Sequence, residues 1–168
     1  EQNPDLPLVG MVTRLVSHKG LDLVKEGIDN VMEYSNAQVV VLGSGDLEYE
    51  NYFKWMQEKY PGRFVMCLGF VPELSQMIAL RYGTIPVVRE TGGLKDSITD
   101  SGDGQGNGFT FKTYNTGDML HSLHRAIYAY NSDKEGWGIL VDRAMGCDNS
   151  WGRSANEYIR LYKQILKG

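Results

Sequence analysis

The sequence predicts an α/β fold in which a parallel sheet is covered by helices on both faces. Short apolar runs alternate along the chain with segments whose apolar residues recur at helical spacing. The run AQVVVLG, Ala37–Gly43, is apolar throughout its centre, which is typical of a strand buried on both sides. Because strands that alternate with helices are joined by crossover connections, we expect the strands to be parallel.

The amino-terminal half of the chain contains three predicted strands, each followed by a predicted helix. The first of these helices has one apolar face, formed by Leu21, Val24, Ile28, Val31 and Met32. The predicted elements are, in order, strand Leu8–Val12, helix Leu21–Tyr34, strand Ala37–Gly43, helix Glu48–Tyr60, strand Arg63–Gly69 and helix Pro72–Gly83.

The carboxyl-terminal half is predicted to contain two further strands and then mostly helix. We expect residues 1–168 to form a single domain whose carboxyl-terminal segment, 116–166, is helical. The elements are strand Ile85–Glu90, a short helix entered through the turn TGGLKD, the glycine-rich loop Asp100–Gly108, strand Phe109–Phe111, and helices Asp118–Tyr130, Lys134–Met145 and Trp151–Leu166, the last capped by Ser150.

Composition narrows the classes of function. The 168 residues carry a formal net charge of −4 and contain no block of Lys or Arg, so neither nucleic acid nor a membrane is an expected partner. No apolar run has membrane-spanning length and no signal peptide opens the sequence, which favours the cytoplasm. Cys67 and Cys147 lack metal-ligand spacing, so we expect buried, reduced thiols and no metal.

Two cations follow the first predicted strand, at the start of a helix. Ligands of parallel sheets bind outside the carboxyl ends of the strands, where Arg14 and Lys19 are placed. Lys19 also precedes a helix amino terminus, whose free N–H groups and dipole favour an anion. The pair therefore predicts a diphosphate site; the alternative is that both cations pair with surface acids such as Asp22 or Glu26.

Three further segments follow strands and are expected at the same edge of the sheet. The turn Thr91–Leu94 contains two glycines, which would let backbone approach a ligand closely, although a plain tight turn has the same pattern. Phe70 is placed to stack on a nucleobase, or else belongs to the core. The motif GSGD supplies only part of a dinucleotide fingerprint, so a hydride-transfer cofactor is poorly supported and no cofactor is expected.

Several motifs together resemble the carboxyl-terminal half of bacterial glycogen and starch synthases, from about Leu8 to Tyr162. These motifs are RLVSHKGLDL, VVVLGSGD, QMIALRYGTIPVVRETGGLKDSI, GNGFTF and SWGRSANEYIRLY. Such enzymes are glucosyltransferases that use ADP-glucose and have two Rossmann-like domains, the GT-B arrangement. The resemblance implies that this chain is the half that binds the donor, with the glucan acceptor held largely by an absent amino-terminal domain.

The resemblance also implies roles for individual residues. Arg14 and Lys19 match the cations that bind the phosphates of the nucleotide in the family, and we assign them the catalytic role. Phe70 stands where the family often has an aromatic residue beside the adenine. The residues expected to bind the nucleotide-sugar are Gly43, Gly45, Asp46, Phe70, Gln76, Thr91, Gly92, Gly93 and Leu94.

One departure from the family pattern lies between Ser75 and Gln76. In the family, roughly twenty more residues intervene there, forming a helix and a strand and containing the E-P-C-G-L motif, whose Glu contacts the donor sugar. Either the given sequence omits the segment or the protein has truly lost it. We favour omission, because deletion of a buried strand would remove several kcal/mol of apolar burial from a domain with only ~5–15 kcal/mol of net stability.

The function expected from the resemblance is transfer of glucose, with retention of configuration, from ADP-glucose to the nonreducing end of an α-1,4-glucan. The expected partner of this chain is ADP-glucose or ADP. The fragment alone is expected to be inactive. Three alternatives remain open: a GT-B glycosyltransferase that uses another sugar nucleotide, a nucleotide-binding module with no activity of its own, and a Rossmann-type oxidoreductase. A complete glycine fingerprint after the first strand would support the last, and Thr13–Lys19 does not supply one.

Overall fold

The computed structural model describes residues 5–69 and 83–147. Within these ranges the strands are β1 (Leu8–Val12), β2 (Gln38–Gly43), β3 (Phe64–Leu68), β4 (Val87–Arg89) and β5 (Phe109–Phe111). The α-helices are α1 (Leu21–Tyr34), α2 (Leu47–Lys59), α3 (Gly92–Ser97), α4 (Thr116–Ser132) and α5 (Lys134–Gly146). Short 3-10 turns occupy Ser17–Lys19 and Ser101–Asp103.

The first three strands form a parallel sheet in the order β1–β2–β3. Leu8 is paired with Gln38, and Val39 with Phe64. Helices α1 and α2 pack on one face of this sheet, because their apolar stripes bury against the inward-facing residues of the strands. The fully or nearly buried members of this core include Leu21, Ile28, Val31, Met32, Val39, Val41, Phe53, Met56 and Phe64.

Strands β4 and β5 form a second parallel sheet. Helix α4 lies between the two halves of the described structure, because it contacts α1 on one side and β5 on the other. Ile127 of α4 is buried in the core of the first sheet, whereas Ala126 packs with Phe109 and Leu140. The packing of α4 therefore joins the two sheets.

The described strands form two sheets rather than the single sheet expected. Strand β1 pairs with β2, and β4 with β5, but β1 and β4 are not paired with each other. In the described part of the chain, helices are seen on one face of the first sheet; the predicted helices 72–83 and 151–166 lie outside that part, apart from Gly83. On the other face of the first sheet, Leu8 is 51% exposed and Val65 is 40% exposed, and Cys67 is exposed rather than buried, within the part of the chain that is described.

The element boundaries agree closely with the sequence pattern. Strands β1 and β5 and helix α1 have the predicted limits, and the other described elements differ by one or two residues at their ends. The predicted helices Pro72–Gly83 and Trp151–Leu166 lie outside the described residues, apart from Gly83. The Ser75–Gln76 junction also lies outside them.

Candidate functional site

The loops that follow β1 and β2 are paired with each other. The backbone N–H of Leu15 donates to the carbonyl of Ser44 over 2.9 Å, and the N–H of Asp46 donates to the carbonyl of Leu15 over 2.7 Å. A parallel bridge between Leu15 and Gly45 extends the ladder beyond the strands. The segments that carry Arg14 and Asp46 therefore lie side by side.

Two glycines of the GSGD motif allow this close approach. A Cβ atom at Gly43 would lie 2.0 Å from the carbonyl oxygen of Thr13, and one at Gly45 would lie 2.3 Å from that of Leu15. Either contact is far inside van der Waals distance, so any larger residue would push the loops apart. The packing of the two loops is sufficient to explain why glycine is required here.

The amide of Gly45 already has an acceptor within the protein. Its N–H donates to the carboxylate of Glu50 over 3.0 Å, and Asp46 is exposed at the start of α2 without capping it. Glu50 thus places a negative charge beside the amide of Gly45. The role of Gly43, Gly45 and Asp46 toward a nucleotide-sugar stays a prediction.

Arg14 and Lys19 lie exposed on the segment between β1 and α1. Among the described residues, neither side chain forms an ion pair or a hydrogen bond. Lys19 ends the 3-10 turn, and Gly20 turns into α1 in the left-handed conformation with φ of 74°. Among the described residues no side chain caps α1, so the positive end of this 14-residue helix opens directly after Lys19 and Gly20.

The acids proposed as alternative partners of these cations are engaged elsewhere. The hydroxyl of Tyr114 donates to the carboxylate of Asp22 over 2.5 Å, and the hydroxyl of Thr116 donates to that of Glu26. Within residues 5–69 and 83–147, surface pairing with Asp22 or Glu26 is therefore not the role of Arg14 and Lys19.

Tyr114, which follows β5, lies near both the segment after β1 and the end of β4. Its ring lies 3.9 Å from the position that a Cβ atom would take at Gly20. The guanidinium of Arg89, the last residue of β4, lies 4.9 Å from the centre of the same ring. The hydrogen bond to Asp22 and partial burial raise the pKa of Tyr114, which keeps its hydroxyl protonated as a donor. The segment after β1 and the ends of β4 and β5 thus meet at one edge, which we call the rim.

The glycine turn begins two residues beyond Arg89. The N–H of Thr91 donates to the carbonyl of Arg89 over 2.8 Å, and the N–H of Leu94 donates to that of Thr91 over 3.2 Å. These two amides are therefore used within the turn. Among the described residues, the amides of Gly92 and Gly93 have no such acceptor, and Cβ atoms there would meet nothing within 4 Å.

The side chain of Leu94 has a packing role. It lies against a small apolar cluster that contains Val88, Ile98 and Ala144. Leu94 therefore anchors the short helix α3 to β4, and its role toward a nucleotide-sugar stays a prediction.

A polar network supports β4 and β5 beneath the rim. The carboxylate of Asp100 accepts hydrogen bonds from the guanidinium of Arg125 at 2.7 and 3.1 Å and from the N–H of Thr110 at 2.8 Å. Burial alone would raise the pKa of Asp100, but these donors and the amide of Gly102 outweigh it and lower the pKa to about 2. The hydroxyl of Thr110 then donates to Glu90 over 2.9 Å, next to Thr91.

Two predicted site residues, Phe70 and Gln76, lie outside the residues that the structure describes. In the described part of the chain, no group of three or more His, Cys, Asp or Glu side chains could hold a metal ion. No helix in that part is long and apolar enough to cross a membrane.

The sequence reasoning did not identify Tyr114, Arg89 or Glu50. Tyr114 and Asp22 are separated by 92 positions, and no local pattern links them. The one available signal was that Tyr114 follows a predicted strand and so belongs to the same edge of the sheet as Lys19.

The fold and the rim together define a class of protein, the Rossmann-like half of a GT-B glycosyltransferase. The catalytic domain of starch synthase IV from Arabidopsis thaliana, solved with ADP and acarbose, superposes with a TM-score of 0.83 at 33% identity over 99% of this chain and 40% of that one. TarM shares the fold at 18% identity, with a TM-score of 0.68 over 96% of this chain and 36% of its own. No protein-family model matches the chain.

Curated sequences indicate a narrower relationship. The glycogen synthase of Bacillus licheniformis is 43% identical over 190 residues, covering 99% of this chain and 39% of the relative. The glycogen synthase of Clostridium perfringens is 43% identical over 189 residues, which cover 98% of this chain and 39% of that relative. The chain is therefore a homologue of glycogen and starch synthases, and it spans about two fifths of the length of the curated relatives it matches.

The alignments also bear on the segment missing from the family pattern. The alignment to the Bacillus licheniformis glycogen synthase runs over 190 residues although this chain has 168, so that relative has positions with no counterpart in this chain. Ser75 is followed directly by Gln76 in the full sequence of 168 residues, so the interpretation that the segment is merely omitted is not supported. The place of the missing positions, between Ser75 and Gln76, stays a prediction.

Proposed function

We propose that this chain is the donor-binding part of a retaining glucosyltransferase that transfers glucose from ADP-glucose to the nonreducing end of an α-1,4-glucan. The observation that carries the proposal is the pair of exposed cations, Arg14 and Lys19, without protein partners in the described residues and beside the uncapped start of α1. The homology to glycogen synthases and the ADP in the starch synthase structure support the choice of nucleotide.

The proposed mechanism uses charge that develops during the reaction. As the bond between glucose and the diphosphate breaks, negative charge accumulates on the departing diphosphate. Arg14, Lys19 and the amides of Gly92 and Gly93 would bind that charge more strongly in the transition state than in the ground state. Loss of one such contact typically lowers the rate by ~10²–10³.

The acceptor glucan is assigned to a second, amino-terminal domain of a longer cytoplasmic enzyme. The chain corresponds to about two fifths of its curated relatives, so donor and acceptor binding are naturally divided between this segment and the rest. The fragment by itself is therefore proposed to bind ADP without transferring glucose.

A direct test is calorimetric titration of the chain with ADP and with UDP. We expect ADP to bind and UDP to bind at least tenfold more weakly. Lys19→Ala should weaken ADP binding by about tenfold or more, because one charge-assisted contact to phosphate is lost. Lys54→Ala is the matched control, since Lys54 is an exposed lysine on α2, away from the rim. Equal affinities of Lys19→Ala and the wild type would refute the proposed site.

The same titration addresses the nearest alternative, a glycosyltransferase that uses a different sugar nucleotide. Three solved structures with this fold contain UDP, although they are only 13% to 18% identical to this chain. Preference for UDP over ADP would favour that alternative. A longer protein that contains this segment and binds ADP, but does not transfer glucose from ADP-glucose to glycogen, would be a binding module.

A further inference from the structure

A pocket lies at the opposite end of β5 from the rim. It has a volume of about 380 Å³ and is an open cleft lined by residues of α4, α5 and the 3-10 turn at Ser101. Phe109, the first residue of β5, lines this pocket, whereas Tyr114 at the other end of the strand contacts the rim. The volume is within the range of ~300–1,000 Å³ typical of small-molecule sites.

The base and one wall of this pocket are aromatic and apolar. Phe109 and Leu140 are buried, with exposures of 4% and 5%. The indole of Trp137 is partly exposed and packs edge-to-face on Tyr130 at 5.3 Å, which fixes its orientation. Tyr128 stands at the mouth and is 73% exposed. The pocket thus presents rigid aromatic surfaces to whatever enters it.

The polar side chains of the pocket are fixed by hydrogen bonds to protein. Arg125 is held by the carboxylate of Asp100, and its guanidinium lies 5.3 Å from the ring centre of Phe109. Arg143 donates through Nη1 to the carbonyl of Gly106 over 3.1 Å. In the described part of the chain its other two nitrogens have no acceptor, so they are available to a ligand.

The charges around this pocket balance. Arg125 is paired with Asp100, and the positive charge of Arg143 is matched by the carboxylate of Asp133, which also lines the pocket and accepts from the N–H of Gly136. Two of the loop amides are already used, because Gly102 donates to Asp100 and Gly104 donates to the carbonyl of Ser101. Aromatic faces, balanced charges and the remaining donors of Arg143 suit a polyhydroxylated, uncharged ligand.

We propose that this pocket is a docking site for a short α-1,4-linked stretch of glucan, separate from the site of transfer. The proposal rests on the proposed function for its choice of sugar. A sugar ring would stack on Trp137, with its hydroxyl groups bonded to Arg143 and Asp133. Because a glucan repeats the same unit many times, holding it at a second point raises its effective concentration at the site of transfer.

The test is calorimetric titration of the chain with maltoheptaose in the absence of nucleotide. We expect binding to the wild type, weakened about tenfold by Trp137→Ala and several-fold by Tyr128→Ala. Tyr128→Ala alters an exposed side chain and should leave the fold intact. Trp55→Ala is the control, because Trp55 is a 48% exposed tryptophan on α2, away from this pocket.

The outcomes separate this proposal from the proposed function. If maltoheptaose fails to bind the wild type, or binds Tyr128→Ala, Trp137→Ala and Trp55→Ala with equal affinity, the docking site is wrong. A parallel titration with ADP reports on the rim alone. If the chain binds ADP but not maltoheptaose, only the proposed docking site is refuted. If it binds maltoheptaose in a way that depends on Trp137 but does not bind ADP, only the proposed donor site is refuted.

Discussion

Tyr114 holds together segments that are far apart in the sequence. Its hydroxyl binds the first turn of α1 through Asp22, and its ring contacts Gly20 and the guanidinium of Arg89. Asp22 thus has a partner other than Lys19 in the described part of the chain. We propose that Tyr114 is a positioning residue, which would act on a bound diphosphate through the segment that carries the cations.

We expect Tyr114→Phe to weaken ADP binding about three- to tenfold, as loss of one hydrogen bond to a charged group would. The ring contacts remain in this variant, and Tyr114 is 45% exposed, so the midpoint of thermal unfolding should change little. Calorimetry and a melting curve on the same sample measure both quantities. Tyr34→Phe, which alters a 75% exposed tyrosine at the end of α1, is the control, and equal ADP affinities in the two variants would contradict the positioning role.

The elements were predictable where the signals are local. Helix α1 lies between Gly20 and Ser35 and has a continuous apolar stripe, so the pattern defined both of its ends. The position of Arg14 and Lys19 followed from their place after β1. The hydrogen bonds that depend on tertiary contacts or on the detailed turn geometry could not be predicted. Glu50 accepts a hydrogen bond from the N–H of Gly45, and the N–H of Leu94 donates to the carbonyl of Thr91 within its own turn.

The glycine-rich loop before β5 shows how one residue can fix an element. Asp100 accepts from two backbone amides and from Arg125, which ties the loop to β5 and to α4. Its pKa of about 2 lies below the ordinary 3.8, so its carboxylate binds protons less readily when folded than when unfolded. The resulting stabilisation is present above about pH 4 and is lost as the pH falls through about 2.

We expect Asp100→Asn to lower the free energy of unfolding at neutral pH by about 2 kcal/mol. The difference from the wild type should shrink as the pH is lowered from about 4 toward 2, because the wild-type carboxyl then becomes protonated. Urea unfolding at pH 7 and pH 3 measures both values. Asp142→Asn, which changes an exposed acid on α5, should cost little at either pH. A difference between Asp100→Asn and the wild type that does not depend on pH would disprove this assignment.

The whole molecule differs from the sequence-based expectation in its division into two sheets. Strands β1 and β4 are not paired with each other, and packing of α4 connects the two parts. The family resemblance implies that a strand is missing between Ser75 and Gln76, and the alignment to a relative is longer than this chain. Loss of a strand between β1 and β4 would account for the division. No pattern within the chain reveals it, because the 16 residues between Gly69 and Pro86 are enough for an ordinary crossover.

Insertion of the corresponding segment of the Bacillus licheniformis relative between Ser75 and Gln76 should stabilise the chain. A new strand that pairs with both β1 and β4 would bury apolar surface and add several kcal/mol to the free energy of unfolding. Urea unfolding of the native chain and the insertion variant measures the gain. A glycine–serine insertion of the same length is the control, and if it stabilises the chain as much as the natural segment does, the missing strand is not the cause of the division.

The most direct measurement of the central claim is a crystal structure of the chain with ADP. The account predicts that the diphosphate lies at the rim, within hydrogen-bonding distance of Arg14, Lys19 and the amides of Gly92 and Gly93. A diphosphate bound elsewhere on the molecule, or bound at the rim with both cations turned away from it, would contradict the account.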